Sequence, residues 1–174
     1  VNIALDSLSG APNSLCDGDT LAASLSVNNT TYASVDSIPY QLNFSGAADI
    51  TINDTLLGTL NAQSNGTFSL LPVGVDTAMD DTLFYTIVAQ LPGDTSAADD
   101  ELSGAIPVNA PMPVLTQGDT AFCEGETVSI TSGAAYTTYS WSTGESSDTI
   151  FVSTTDSVSL TVTDANGCTG VTDT

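Results

Sequence analysis

The 174-residue sequence predicts an all-β protein. Apolar residues make up 41 % of the chain and fall into short alternating runs, the period of a half-buried strand. Val, Ile, Thr, Tyr and Phe, which suit a pleated surface, fill those runs, and no amphipathic helical stretch of ten residues occurs. Gly and Pro are scattered between the runs at turn-like intervals.

In chain order, Val1-Asn2-Ile3-Ala4-Leu5 reads as a first strand. Leu15-Cys16-Asp17-Gly18-Asp19-Thr20-Leu21 reads as a turn that feeds the alternation of Leu21, Ala23, Leu25 and Val27. Ile38, Tyr40, Leu42 and Phe44 follow, then Phe68 and Leu70, then Leu83, Tyr85, Ile87 and Ala89. Asn65-Gly66, just before Phe68, has the composition of a tight hairpin turn. Ala110-Pro111-Met112-Pro113 reads as a stiff, extended linker. Beyond it the turn motif returns as Phe122-Cys123-Glu124-Gly125-Glu126-Thr127-Val128, again entering alternation at Val128 and Ile130. Tyr139 and Trp141, Ile150 and Val152, and Val158, Leu160 and Val162 make the later runs, with Asn166-Gly167 as a final turn. Two copies of one turn-into-strand device argue for two domains of related build. Short strands at this spacing are the pattern of immunoglobulin-like sandwiches. The expected architecture is two of them in tandem, residues 1–109 and 114–174, joined by the linker 110–113, with Trp141 in the second core.

Charge narrows the function. The chain has no lysine, arginine or histidine against 21 carboxylates, a formal net charge of −21. There is no cation to clamp phosphate, to follow nucleic acid or to meet anionic lipid. The commonest general base is missing, and neither Cys16 nor Cys123 has a histidine to activate it. A non-catalytic protein is expected.

Three cysteines suggest an oxidising compartment. The smaller second domain has little apolar area to bury and gains most from a covalent staple. Cys123 precedes its first main strand and Cys168 follows its last, so a Cys123–Cys168 disulfide is expected, stabilising by about 4 kcal/mol at the upper end of the chain-entropy model. Cys16 is then left over, as a buried thiol or an intermolecular link.

The order Cys123-Glu-Gly-Glu-Thr-Val, Tyr139-Ser-Trp141-Ser-Thr-Gly144 and Val158-Ser-Leu-Thr-Val-Thr-Asp-Ala-Asn-Gly-Cys168 resembles the Ig-like and PKD-like repeats of Bacteroidota surface proteins. The first domain is similar, more loosely, to the cell-adhesion-related bacterial Ig-like modules, through Val27-Asn-Asn-Thr, Ser37-Ile-Pro-Tyr-Gln-Leu, Leu57-Gly-Thr-Leu and Gly93-Asp94 leading to Asp99-Asp100. The resemblance implies a paired Cys123 and Cys168, and an extracellular or cell-surface module of a giant adhesin, stalk or filament exported by type IX secretion.

Asp followed by Ser or Thr and then an apolar residue occurs nine times, with hydroxyls at Ser7, Thr20, Ser37, Thr55, Thr77, Thr82, Thr120, Thr149 and Ser157. Random placement of these residue types would give about two. The triplet resembles the O-glycosylation sequon of the Bacteroidota, which makes covalent O-glycans an expectation; it also suits a turn entering a strand. Asn28, Asn29, Asn53 and Asn65 stand in Asn-x-Ser/Thr sequons, read as coincidence in so Asn- and Thr-rich a chain. Asp80, Asp81, Asp99, Asp100 and Glu101 are the candidates for calcium, with hard oxygen ligands but no EF-hand spacing.

Val171-Thr172-Asp173-Thr174 followed head-to-tail by Val1-Asn2-Ile3 would make one continuous strand, so copies joined in tandem or by terminal strand complementation are the expected partners. The functional expectation is a glycosylated structural segment of an extracellular filament, stalk or adhesin. The alternative is an adhesin module that recognises carbohydrate or another cell surface, which exposed aromatic residues would favour.

Overall fold

The computed structural model describes residues 1–77, 79–118, 123, 125–154 and 157–173, the side chain of Asp173 excepted. Among these residues there is no helix, and the strands are antiparallel wherever their register is defined. The chain divides into two compact units, Val1–Thr77 with Asp81–Val108, and Ala78–Asp80 with Asn109–Thr174.

The first unit is built from β1 (Ile3–Ser9), β2 (Leu15–Cys16), β3 (Thr20–Leu21), β4 (Ser24–Asn29), β5 (Val35–Gly46), β6 (Ile50–Leu60), β7 (Ser64–Ser69), β8 (Val73–Gly74), β9 (Asp81–Ala89) and β10 (Glu101–Asn109). They make a three-stranded sheet β1-β4-β7, a five-stranded sheet β2-β10-β9-β5-β6 and a short β3-β8 pair. Alternation decides which side of each strand goes inward. On β5, Ile38, Tyr40, Leu42 and Phe44 are all buried, while Pro39, Gln41 and Asn43 between them are half-exposed. Ile3, Leu25 and Val27 from the smaller sheet join Tyr40, Leu83 and Ile87 from the larger one in a single apolar core. The two sheets are held face to face by that burial, because the chain has no side-chain cation for an ion pair.

The second unit carries β11 (Thr116–Gln117), β12 (Val128–Thr131), β13 (Thr138–Trp141), β14 (Thr149–Val152), β15 (Ser159–Thr163) and β16 (Thr169–Asp173). Its sheets are β11-β12-β14 and β13-β15-β16. Ile130, Trp141, Ile150, Val158, Leu160 and Val162 form its core. Trp141 is 3 % exposed, and its indole Nε1 donates to the Ser147 carbonyl at 2.8 Å, so the one polar atom of the ring is satisfied inside.

Several local expectations meet the structure directly. At their described residues the two copies of the Cys-acid-Gly-acid motif make matching hydrogen bonds. The Cys16 amide donates to Asp19 Oδ2 at 2.8 Å and the Asp19 amide to the Cys16 carbonyl at 3.0 Å. In the second copy the Cys123 amide donates to Glu126 Oε2 at 2.9 Å and the Glu126 amide to the Cys123 carbonyl at 3.0 Å. The shared glycine takes φ of +80° at Gly18 and +94° at Gly125, which an L residue rarely adopts. Asn166-Gly167 is a turn as expected, between β15 and β16.

Asn65-Gly66 is not a turn. Both residues lie inside β7, opposite Asn28 and Val27, and the reversal falls at residues 61–63 instead. Gly66 serves packing there, since a Cβ would stand 2.8 Å from Leu60 Cδ1. Pro111, in the stretch expected to be a stiff, extended linker, lies against β16 of the second unit: a Cβ on Gly170 would clash with the Pro111 carbonyl, and Pro113 is buried. At the N-terminal end, Ile3 is fully buried in β1, which pairs with β4 from Ile3 to Ser9, so this strand is part of the fold's own core.

Candidate functional site

The cysteines are arranged differently from the sequence expectation. Cys16 and Cys168 are the half-cystines, and Cys123 carries a free, exposed thiol. The expected Cys123–Cys168 pairing is therefore corrected, as is the reading of Cys16 as the odd thiol. The physical reason lies in the repeated motif. It places Cys16 and Cys123 in equivalent turns, so spacing alone cannot choose between them. In the structure Cys168 is only 1 % exposed, with its amide held by Asp164 Oδ1 at 2.8 Å, Cys16 is half-buried, and Cys123 faces solvent. We expect Cys123→Ser to change stability by less than about 0.5 kcal/mol. Cys16→Ser or Cys168→Ser should each cost about 2–4 kcal/mol. Calorimetry of the three variants decides the matter, and equal melting temperatures would contradict the assignment.

Among the described residues the Asp-Ser/Thr-apolar triplets share one burial pattern. Leu21, Ile38, Leu56, Leu83, Ile150 and Val158, their apolar members, are all buried, and Leu8 is half-buried. The preceding hydroxyl residue falls on the opposite side of the strand or turn. Ser7, Thr20, Ser37 and Ser157 are exposed, and Thr55, Thr77, Thr82 and Thr149 are half-exposed. Thr120 lies outside the described residues. Thr20, Thr82, Thr149 and Ser157 stand at or just before the start of a strand, whereas Ser7, Ser37 and Thr55 lie inside β1, β5 and β6; in all of them the hydroxyl residue is exposed or half-exposed. Among the N-sequons, Asn29 is fully buried and its side-chain amide is engaged by backbone, which closes it to modification.

The acidic candidates are dispersed. Asp80 Oδ1 accepts the Ala110 amide at 2.8 Å, and Asp81 Oδ1 accepts the Thr82 amide at 2.7 Å. Glu101 is exposed at the start of β10. Asp99 and Asp100 stand beside β1: the Leu5 amide donates to the Asp99 carbonyl at 2.8 Å, and Asn2 Nδ2 donates to Asp99 Oδ2 at 3.1 Å. Nearby, Asp94 Oδ2 accepts the Ile3 amide at 2.9 Å. Among the described residues no three acidic or cysteine side chains converge as metal ligands.

Electrostatics separates the two neighbours. A hydrogen bond from Ser96, helped by one from Asn2, holds the Asp99 carboxyl below its ordinary range. Burial, with Asp94 and Asp99 adding like charge, pushes Asp100 up. Asp100 Oδ1 is buried without a hydrogen-bond partner, as are Asp99 Oδ1 and Asn2 Oδ1. The raised group binds its proton more tightly when folded, so its contribution is complete at low pH and lost as pH rises through the folded value. Asp99 acts oppositely, losing its contribution as pH falls through its folded value. Asp100→Asn should raise the melting temperature at pH 7, with the gain shrinking toward zero in acid. A gain independent of pH would contradict this.

No family model and no curated protein matches the chain. Among solved structures it is similar to the E. coli chaperone DraB, at 12 % identity and a TM-score of 0.27, over 99 % of this chain and 98 % of that one. At that TM-score the likeness carries no argument about fold or activity. No helix among the described residues is long and apolar enough to cross a membrane.

Proposed function

We propose that the chain is a non-catalytic structural segment of an extracellular bacterial filament, stalk or giant adhesin, built from two Ig-like sandwiches and coated with O-glycans. The observation that carries the reading is the geometry of the triplets, in which a buried apolar residue fixes the strand and the adjacent hydroxyl faces out. A modifying enzyme can reach such a hydroxyl without unfolding the strand, and a sugar there disturbs no core contact. The half-cystines fit an oxidising compartment. Stability that rests on apolar burial and strand pairing, with no side-chain ion pair, suits a surface exposed to varying salt. Neighbouring copies or repeats are the partners under this reading, and calcium enters only by general screening of the −21 charge.

The experiment is secretion of the segment from a Bacteroidota host, then peptide mapping by mass spectrometry after Asp-directed cleavage. Sugar-sized mass increments on the outward Ser and Thr residues of the triplets are expected. Unmodified peptides throughout, or sugars on hydroxyls outside the triplets, would contradict the proposal.

A further inference from the structure

The outer face of the five-stranded sheet has a chemistry unlike the rest of so acidic a chain. Three register rows cross it, through Gln41 opposite Asn53 and Val88, Asn43 opposite Thr51 and Thr86, and Ser45 opposite Phe84. The amides on these rows are tied to one another. Gln41 Nε2 donates to Asn53 Oδ1 at 3.0 Å, Asn43 Nδ2 donates to Gln41 Oε1 at 3.3 Å, and Thr51 Oγ1 donates to Asn43 Oδ1 at 3.0 Å. The side chains are thereby held in place before any ligand arrives, while each amide keeps further donor and acceptor capacity toward solvent. Beside this ladder Phe84 is 53 % exposed, an apolar ring on a polar plane. The only carboxylate on the three rows is Glu101, at the end of the Gln41 row opposite Val88.

We propose that this face binds a neutral polysaccharide, its hydroxyls meeting the Gln41–Asn43–Thr51–Asn53 ladder and the apolar face of one sugar ring lying on Phe84. Charge selects the ligand class. A chain of −21 repels polyanions, and the face offers a polycation almost no partner. The amide rows themselves are small: three rows across four strands cover roughly 300–400 Å² from strand and residue spacings, below the ~800 Å² per partner of a stable protein interface. A narrow polymer with both donors and acceptors fits what remains. This binding role stands apart from the structural reading, since a filament segment need not bind sugar and a sugar-binding face need not be glycosylated.

The test is native gel electrophoresis of the full chain with hydroxyethylcellulose, galactomannan or laminarin in the gel, and chitosan as a charge control. Retardation by at least one of the three neutral polymers is expected. Phe84→Ala and Asn43→Asp should each weaken it by about tenfold, the scale of one lost apolar or polar contact. Their melting temperatures should stay close to that of the parent, because both side chains lie on the solvent face. A variant that melts early is replaced by Gln41→Ala, which lies on the same ladder and carries the same expectation. No retardation by any neutral polymer, retardation by chitosan alone, or equal retardation of folded variants would overturn the proposal.

Discussion

Trp141→Ala is expected to remove most of the stability of the second unit. Among the described residues that unit has a buried core of six side chains, of which Trp141 is the largest, packed where β13 meets Leu160 of β15. Truncating a buried tryptophan costs about 3–5 kcal/mol, from lost transfer energy and the cavity left behind. A unit of this size holds on the order of 3–10 kcal/mol in all. The indole also satisfies the Ser147 carbonyl, which would lose its donor. Trp141→Phe separates the contributions, since it keeps much of the packing and loses only the hydrogen bond, at about 1–3 kcal/mol. Calorimetry of the full chain should show the second unit melting far below the parent in Trp141→Ala, with Trp141→Phe between. Equal melting of all three would mean that the tryptophan does not organise this core.

The second large effect is expected at Asn29, the fully buried polar side chain of the first unit. Its Nδ2 donates to the carbonyls of Ala33, Leu60 and Asn61 at 2.8, 3.1 and 3.1 Å. Its Oδ1 accepts from the Thr31 amide at 3.1 Å and the Thr31 hydroxyl at 2.7 Å. One side chain therefore fixes both the loop from β4 to β5 and the end of β6. Asn29→Ala takes the side-chain donor from the buried Leu60 bond and the acceptor from the Thr31 amide, losses of about 1–3 kcal/mol each, so a total of about 3 kcal/mol is expected. Asn29→Asp keeps the shape but sets a carboxylate against three carbonyl oxygens. It should be at least as damaging at pH 7 and recover in part as acid protonates it. Denaturant titration of both variants at pH 7 and pH 4 is the measurement. A loss below about 1 kcal/mol in Asn29→Ala would show that water replaces these bonds freely.

Neither the role of Asn29 nor the choice of half-cystine could be read from the chain, and the reason is the same. Both depend on which distant backbone segments meet, and local pattern is silent about that. Asn29 reads as one more residue of an Asn- and Thr-rich stretch until Leu60 and Asn61 come within hydrogen-bond reach of it. Cys16 and Cys123 sit in motifs so alike that the sequence does not choose between them, and in the structure Cys123 is the exposed free thiol. Where information is local, the sequence was sufficient. Period-two alternation located the inward residues of β4, β5, β9 and β15, and the paired acids around Gly18 and Gly125 marked two turns of the same form. Asn65-Gly66 failed as a turn signal: both residues pair with β4, and a Cβ at Gly66 would press on the side chains of Leu60 and Phe68. The amide ladder on β5 and β6 is illegible in the sequence for a related reason: Gln41, Asn43, Thr51 and Asn53 become neighbours only through strand register.

The intact mass of the segment secreted from a Bacteroidota host tests the central claim most directly. A glycosylated surface segment should exceed the 17.7 kDa of the bare chain by sugar-sized steps, and the excess should vanish when the triplet hydroxyls are replaced by alanine. A homogeneous species at 17.7 kDa would contradict it.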